Sequence, residues 1–172
     1  MRALESEFVA RYSEIEENLE FIKHVELQLH SGLPHFAGAG GNPGPVVTVT
    51  QLRVLYSAVY LQLYNLVEST VSKCLESLVK EVSRDSMWRP ADLEKNLLRE
   101  WVRAVAQTRA RAEISADTRL NAAVSMGERL IDSAPVEIFD IAKGGGGNWD
   151  DDAIFKIMRR IGCERSISSE AN

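Results

Sequence analysis

The segment that decides the fold is TQLRVLYSAVYLQLYNLVESTVSKCLESLVKEVSR, Thr50 to Arg84. Its apolar residues recur at three- and four-residue steps, which predicts one long α-helix. Two faces of this helix are apolar. One face carries Leu55, Val59, Leu63, Leu66, Val71, Cys74 and Leu78, and the other carries Val54, Ala58, Leu61, Ser72, Leu75, Val79 and Val82. A helix with two apolar faces normally lies centrally with partners on both sides, so the segment predicts an all-α fold.

Two polar residues, Asn65 and Glu68, interrupt the second of these faces. Residues three apart in a helix are neighbours on its surface, so the two side chains lie close together. Leaving a polar group buried without a hydrogen-bond partner costs about 1–3 kcal/mol. We therefore expect something polar to meet Asn65 and Glu68.

A first, acidic helix is predicted over residues 2 to 30, ahead of the central one. The chain then passes through SGLPHFAGAGGNPGP, residues 31 to 45, where glycines and prolines are expected to prevent regular structure. This segment is interpreted as a long, flexible, glycine-rich connection between helices.

Further helices are predicted after the central one. A third should start at Pro90 and end near Thr108. A fourth should run to Asp132 with Asp117 as its N-cap. Its inward-facing residues are expected to be Leu120, Val124 and Leu130. The segment PVEIFDIA, residues 135 to 142, alternates between apolar and polar residues and is predicted to be extended.

The segment KGGGGNWDDDAIFKIMRRIG, Lys143 to Gly162, raises the question of a phosphate-binding loop. That motif needs a lysine and a hydroxyl residue after its glycines. Here the glycines lead to an asparagine, a tryptophan and three aspartates, and acids at a helix N-terminus repel phosphate. The pattern instead predicts a hinge and a helix capped by Asp150 and ended by Gly162. With residues 163–172 as a polar tail, one helical domain is predicted over residues 1–162.

Composition narrows the classes of function. The 172 residues are 45% hydrophobic and carry a formal charge of −5, so the chain has no overall basic signature for nucleic acid or anionic membranes. A signal peptide and a membrane-length apolar run are both absent, so a cytoplasmic location without membrane association is expected. Two cysteines and three histidines, with no acids spaced near them for coordination, predict neither a disulfide framework, nor a metal site, nor a cofactor.

A local basic stripe stands against this acidic background. It consists of Lys95, Arg99, Arg103 and Arg111, which recur near multiples of four residues. One interpretation is a solvated helix face paired locally with Glu94 and Glu100. The other is an electrostatic contact with an RNA backbone. No residue of the chain has a motif context that identifies it as catalytic.

Two segments resemble a specific family. YNLVESTVSKCLESLV (Tyr64 to Val79) is similar to the second helix of the RiboL-PSP and MAE-type branch of the HEPN superfamily, known from bacteria, which carries an Asn-x-x-Glu pair. GGNWDDDAIFKIMRRIG (Gly146 to Gly162) resembles the later G-N block of the same branch. The resemblance implies that Asn65 and Glu68 lie near the family's cleft. The alternative role is a buried hydrogen-bonding pair that fixes helix register.

The resemblance also implies an antiparallel all-α bundle, commonly homodimeric, and often a metal-independent endoribonuclease of toxin–antitoxin or anti-phage defence systems. Such enzymes use an arginine followed four to six residues later by a histidine, which acts as general acid or base while the arginine stabilises the phosphorane. The implied partners are a second copy of the chain, RNA or a nucleotide, and a cognate antitoxin or defence-system protein.

The sequence departs from this pattern at the decisive point, because no histidine follows His35. We expect the tail to lead into a last helix bearing the motif, in a shortened chain, or the protein to be a natural member that has lost catalysis. The leading hypothesis is a HEPN ribonuclease domain that is catalytically incomplete in this chain. The alternative is a non-catalytic interaction or nucleotide- and RNA-binding module.

Overall fold

The computed structural model describes residues 2–32, 35–37, 40, 43–84, 87–106, 115–142 and 149–163. Its helices are α1 (Arg2–Ser31), α2 (Val49–Val82), α3 (Lys95–Val105), α4 (Ala116–Ile131) and α5 (Asp151–Ile161). A short hairpin, β1 (His35–Ala37) and β2 (Pro43–Val46), lies between α1 and α2, and a 3₁₀ turn, Pro90–Asp92, precedes α3. The predicted all-α class is confirmed, since helices form nearly all of the regular structure described.

The chain divides into two compact units, Met1–Thr70 and Val71–Asn172. The continuous helix α2 contributes its first part to one unit and its last part to the other. Each unit has its own core of buried residues. The single domain over residues 1–162 stays a prediction.

In the first unit, α1 and α2 run antiparallel. Asn18 on α1 donates to Gln62 on α2 at 3.1 Å, and Tyr56 on α2 donates to Glu26 on α1 at 2.6 Å. A step forward along α1 is therefore a step backward along α2. The buried core consists of residues at seven-residue spacing on each helix, Ile15 and Ile22 with Leu52, Val59 and Leu66. Seven residues make about two turns, so one stripe of each helix faces the other, as in a coiled coil.

The start of α2 is set by a capping box. The backbone N–H of Thr48 donates to Oε1 of Gln51 at 2.8 Å, and the N–H of Gln51 donates to Oγ1 of Thr48 at 3.2 Å. These reciprocal bonds satisfy donors that the first helical turn leaves without partners. They place the N-terminal boundary of α2 directly after the hairpin.

The connection after α1 is more regular than the sequence predicts. β1 and β2 pair antiparallel, with His35 opposite Val46 and Ala37 opposite Pro43, and with an irregularity between these pairs. Proline holds its φ near the value of extended backbone, so Pro43 and Pro45 suit a short edge strand as well as they suit a loop. The expectation that this segment lacks regular structure is therefore wrong for β1 and β2.

The predicted second apolar face of α2 is not buried in the first unit. Val54 and Leu61, which belong to that face, are 63% and 60% exposed. The buried stripe lies instead along Leu52, Val59 and Leu66, because α1 covers that side of the helix. Cys74, which belongs to the other predicted apolar face, is also exposed.

The second unit has the larger core. Its buried residues come from the end of α2, from α3 and α5, and from the segments before α3 and α5: Leu75, Val82, Leu93, Trp101, Val136, Phe139, Ile141, Trp149 and Ile157. Residues 135–142 form neither helix nor strand, yet Val136, Phe139 and Ile141 within them are buried. The N–H of Val136 donates to the carbonyl of Trp88 at 2.8 Å, which anchors this segment.

The ends of α3 and α4 differ from expectation. Pro90 opens a 3₁₀ turn rather than the α-helix itself, and α3 begins at Lys95. The N-cap of α4 is Ser115, whose Oγ accepts from the N–H of Thr118 at 3.2 Å, so Asp117 lies in the first turn instead. Ser115 caps well because its short side chain reaches back to the turn.

The predicted inward face of α4 is wrong, because α4 has no buried residue, and the α4 side chain that packs against the core of the second unit is the partly buried Met126. Of the residues expected to face inward, Leu120 is 63% exposed, Val124 is 50% exposed and Leu130 is 45% exposed. These three residues form an apolar stripe on the surface of α4 that no described part of the chain buries.

The predicted ends of α5 are observed. Oδ1 of Asp150 accepts from the N–H of Ala153 at 2.7 Å, and Gly162 ends the helix with φ 84°. A residue with positive φ after a helix is usually glycine, because a Cβ there costs conformational energy. The glycine run Gly144–Gly147 and most of the polar tail lie outside the described residues.

Candidate functional site

The polar pair on α2 lies at the surface. Asn65 is exposed and Glu68 is half-buried, and both belong to the first unit. The exposure of Asn65 argues against the interpretation of a buried hydrogen-bonding pair within this chain. The interpretation as residues that line a cleft stays a prediction.

The basic stripe lies on α3, in the second unit. Lys95, Arg99 and Arg103 are all exposed, and they follow one another at four-residue steps along the helix. Arg111 lies outside the described residues. Residues four apart stand one above the other, so the three described side chains lie on one side of α3.

A fully buried carboxylate, Glu100, lies beside this stripe. Its Oε2 accepts from Nη2 of Arg160 at 2.6 Å, and its Oε1 accepts from Nε of the same arginine at 3.2 Å. Oε1 also accepts from Nη1 of Arg103. Two arginines, one from α3 and one from α5, thus converge on a single carboxylate.

The third contact of Arg160 extends this cluster to the core. Its Nη1 donates to the carbonyl of Ala142 at 3.0 Å, next to the buried Ile141. Arg160 therefore ties α5 both to α3 and to the segment that precedes the glycine run. A bidentate guanidinium–carboxylate pair has a fixed geometry, so it orients the two helices as well as joining them.

Part of this cluster was predictable from the sequence. Glu100 was expected to pair locally with the basic stripe, and Arg103 does pair with it. Arg160 lies in the last turn of α5, where a basic residue complements the negative end of the helix dipole. Its pairing with Glu100 was missed, since nothing in the periodicity of either helix marks two residues sixty positions apart as neighbours.

The cluster leaves an excess of positive charge on α3. Glu100 supplies one negative charge against the two arginines that contact it. Lys95 and Arg99 form no ion pair among the residues that the structure describes, and they remain accessible to solvent. Such a surface suits phosphate groups, which arginine binds in the same planar geometry as carboxylates.

Other chemistries have little support in the described part of the chain. Within residues 2–32, 43–84, 87–106, 115–142 and 149–163, no group of three or more histidine, cysteine, aspartate or glutamate residues is placed to hold a metal ion. No described helix is long and apolar enough to cross a membrane. His24 lies exposed on α1, with Nδ1 3.3 Å from the carbonyl of Glu20, in the unit that lacks the arginine cluster.

Comparison with known proteins gives one match. The family model described as MAE_28990-like HEPN matches residues 1–172, the whole of the chain. Neither the curated proteins nor the solved structures contain a significant match. The family match agrees with the resemblance seen in the segments Tyr64 to Val79 and Gly146 to Gly162.

Proposed function

This chain belongs to the MAE_28990-like HEPN family, and from that membership we propose that it is an RNA-binding domain of the HEPN ribonuclease type. The observation that carries the proposal is the family match over residues 1–172. HEPN domains are nuclease-like or nucleotide-related modules, and a phosphate-bearing ligand is common to both roles. The biological setting that we propose is a bacterial toxin–antitoxin or anti-phage defence system in the cytoplasm.

The surface that we assign to RNA is the exposed side of α3 around Lys95, Arg99 and Arg103. Its support is the accessible positive charge, which the single buried carboxylate of Glu100 does not neutralise. RNA binding to such a surface is driven by release of counterions from the phosphates and weakens as salt rises. Arg160 has a structural part in this proposal, because it fixes α5 against α3.

We further propose that residues 1–172 bind RNA without cleaving it. A metal-independent ribonuclease of this family needs a histidine four to six residues after an arginine, and the histidines of the chain are His24, His30 and His35 only. None of them follows an arginine at that spacing. In this proposal the domain is catalytically incomplete in this chain, because the arginine–histidine pair is missing from its sequence.

The second candidate is a non-catalytic interaction or nucleotide-binding module. The same missing arginine–histidine pair favours it, because a binding module has no need of a general acid or base. Proposed partners under either function are a second copy of the chain and a cognate antitoxin or defence-system protein. Asn65 and Glu68 remain the candidate cleft residues in both.

The test measures RNA binding by charge-reversal variants. The readout is the fluorescence anisotropy of a labelled single-stranded RNA of mixed sequence. The variant K95E/R99E reverses the charges of the two exposed basic residues of α3 that form no ion pair among the described residues. The control R11E/K23E makes the same change in net charge on α1. Both basic residues are exposed there and form ion pairs with neighbouring acidic residues. We expect K95E/R99E to weaken binding about tenfold or more, and the salt slope to fall by about 0.7 for each lost phosphate contact.

The control shows whether RNA binding depends on the charges of α3 or only on the net charge of the chain. If both variants weaken binding equally, the α3 surface is not the RNA site. If the wild-type chain binds no RNA but binds a nucleotide, the second candidate replaces the first.

A further inference from the structure

The first unit exposes an apolar face that is nearly free of charge. From Val49 to Val67, α2 contains a single charged residue, Arg53. In the same stretch Val54, Tyr60 and Leu61 are 63%, 74% and 60% exposed, and Val67 is exposed as well. We call the exposed residues Val54, Tyr60, Leu61, Tyr64 and Val67 the outer face of α2. Depletion of charge together with exposed tyrosine is the composition of a protein interface core, not of an ordinary solvated helix.

The outer face points away from α1. Leu61 follows the buried Leu52 by nine residues, and Glu68 follows the buried Val59 by nine. Nine residues at 3.6 per turn make two and a half turns, so Leu61 and Glu68 lie on the side opposite to the α1 contact. The helix α1 therefore leaves this face uncovered.

The charges at the two ends of the outer face are complementary. Arg53 lies near its N-terminal end and is exposed, and Glu68 lies near its C-terminal end and is half-buried. Neither side chain takes part in an ion pair among the described residues. The two charges stand fifteen residues apart, about 22 Å along the axis, too far to neutralise each other within one helix.

We propose that the outer face of α2 docks against the same face of a second copy of this chain, with the two helices antiparallel and Arg53 of each copy opposite Glu68 of the other. A two-fold axis between Tyr60 and Leu61 produces this register. Arg53 precedes Leu61 by eight residues and Glu68 follows Tyr60 by eight, so the axis exchanges their positions. The same axis brings Val54 of one copy to the same level along the interface as Val67 of the other, so both flanks of the interface carry an apolar residue.

This self-complementarity selects a second copy over another partner. An isologous interface pairs each residue with its counterpart through the two-fold axis. Arg53 with Glu68, Val54 with Val67 and Tyr60 with Leu61 are such pairs, whereas Tyr64 is paired with Ser57. A foreign partner places no such demand on the spacing of Arg53 and Glu68. The proposal specifies the interface of the homodimer named above, and it does not depend on RNA binding.

The experiment measures the dimer dissociation constant of the full chain by sedimentation velocity over a range of concentrations, without RNA. Three charge variants test the register: R53E, E68R and the double variant R53E/E68R. Each single variant sets like charges opposite each other at two symmetric positions, so we expect dissociation constants raised about tenfold. The double variant restores opposite charges and should return to within about threefold of the wild type.

Two further variants test the apolar part of the face. L61E places a charge at the centre of the proposed interface and should abolish the dimer. L120E makes the same change on α4, at a leucine that is 63% exposed against 60% for Leu61, and should leave the dimer intact. Circular dichroism of each variant checks that the helices remain folded.

Each result bears on a separate statement. A monomeric wild-type chain overturns the homodimer and with it this interface, but leaves the RNA proposal standing. A dimer that survives L61E, or that L120E dissociates, overturns the outer face as the interface. Failure of the double variant to restore association overturns the antiparallel register.

Discussion

Arg160 on α5 donates to both carboxylate oxygens of Glu100 on α3, at 2.6 and 3.2 Å, although sixty residues separate them in the sequence. Glu100 is fully buried, so its charge has no water to solvate it. The arginine therefore compensates a charge that the fold has already removed from solvent. This pair joins α5 to α3, the helix that carries the proposed RNA surface.

Replacing Glu100 with glutamine should destabilise the second unit strongly. The change leaves Arg160 partly buried without its counter-charge, and breaking a buried pair from one side costs roughly 3–5 kcal/mol. The free energy of unfolding, measured by urea denaturation and circular dichroism, gives the cost directly. The control is E137Q, since Glu137 is exposed and lies 3.5 Å from Arg129 in a surface pair. That variant should change stability by less than about 1 kcal/mol, and equal effects of the two variants would argue against the role assigned to Glu100.

Two glycine-to-alanine substitutions should act in opposite directions. Gly162 has φ 84°, and a Cβ built there lies 2.8 Å from Oε2 of Glu94 and 3.0 Å from Nδ2 of Asn96. We expect G162A to lower the free energy of unfolding by about 1–2 kcal/mol, through strain and through displacement of these side chains.

Gly127, within α4, supplies the matched comparison. A Cβ there meets nothing within 4 Å. Because alanine is the better helix former, G127A should raise stability by about 0.5–1 kcal/mol. Thermal unfolding of G162A and G127A tests whether the two substitutions change stability in opposite directions. Destabilisation by G127A would mean that α4 has neighbours at this position.

The sequence predicted the helices and the ends of α5 well, and the pairing of helix faces poorly. Periodicity located α2, and the residues Asp150 and Gly162 marked the ends of α5, because both signals are local. The choice between the two apolar faces of α2 is not local. Both faces satisfy the helical period, and only the position of α1 determines that Val59 is buried while Leu61 is exposed.

Glu100 shows the same limit for the candidate site. An acid among arginines is indistinguishable in sequence from an ordinary surface charge. Its burial follows from the packing of α5 against α3 and from Arg160, which no helical period relates to it. The exposed positions Lys95 and Arg99 were predictable, since four-residue spacing places them on one side of α3.

The hydrogen bond between Tyr56 and Glu26 should make the first unit sensitive to alkaline pH. Tyr56 donates to Oε2 of Glu26 at 2.6 Å, and this bond, with the nearby negative charge, raises the pKa of the tyrosine hydroxyl above its ordinary value. A raised folded-state pKa stabilises the fold fully below the unfolded pKa, near 10, and the contribution is lost as pH rises through the folded-state value.

The variant Y56F isolates this contribution. It removes the hydroxyl and with it the hydrogen bond to Glu26, so it should lower stability at neutral pH. The difference between wild type and Y56F should then shrink as pH rises above 10. Urea denaturation of both proteins at a series of pH values measures it. A difference that stays constant across that range would contradict the assigned bond.

The central claim is that these 172 residues bind RNA and do not cleave it. The most direct measurement mixes the purified chain with labelled single-stranded RNA, records anisotropy at increasing salt, and then resolves the same RNA on a denaturing gel after prolonged incubation in EDTA. We predict saturable binding that weakens with salt, together with intact RNA at every protein concentration. Dose-dependent cleavage would contradict the claim of catalytic incompleteness, and the absence of salt-dependent binding would contradict the claim of an RNA surface.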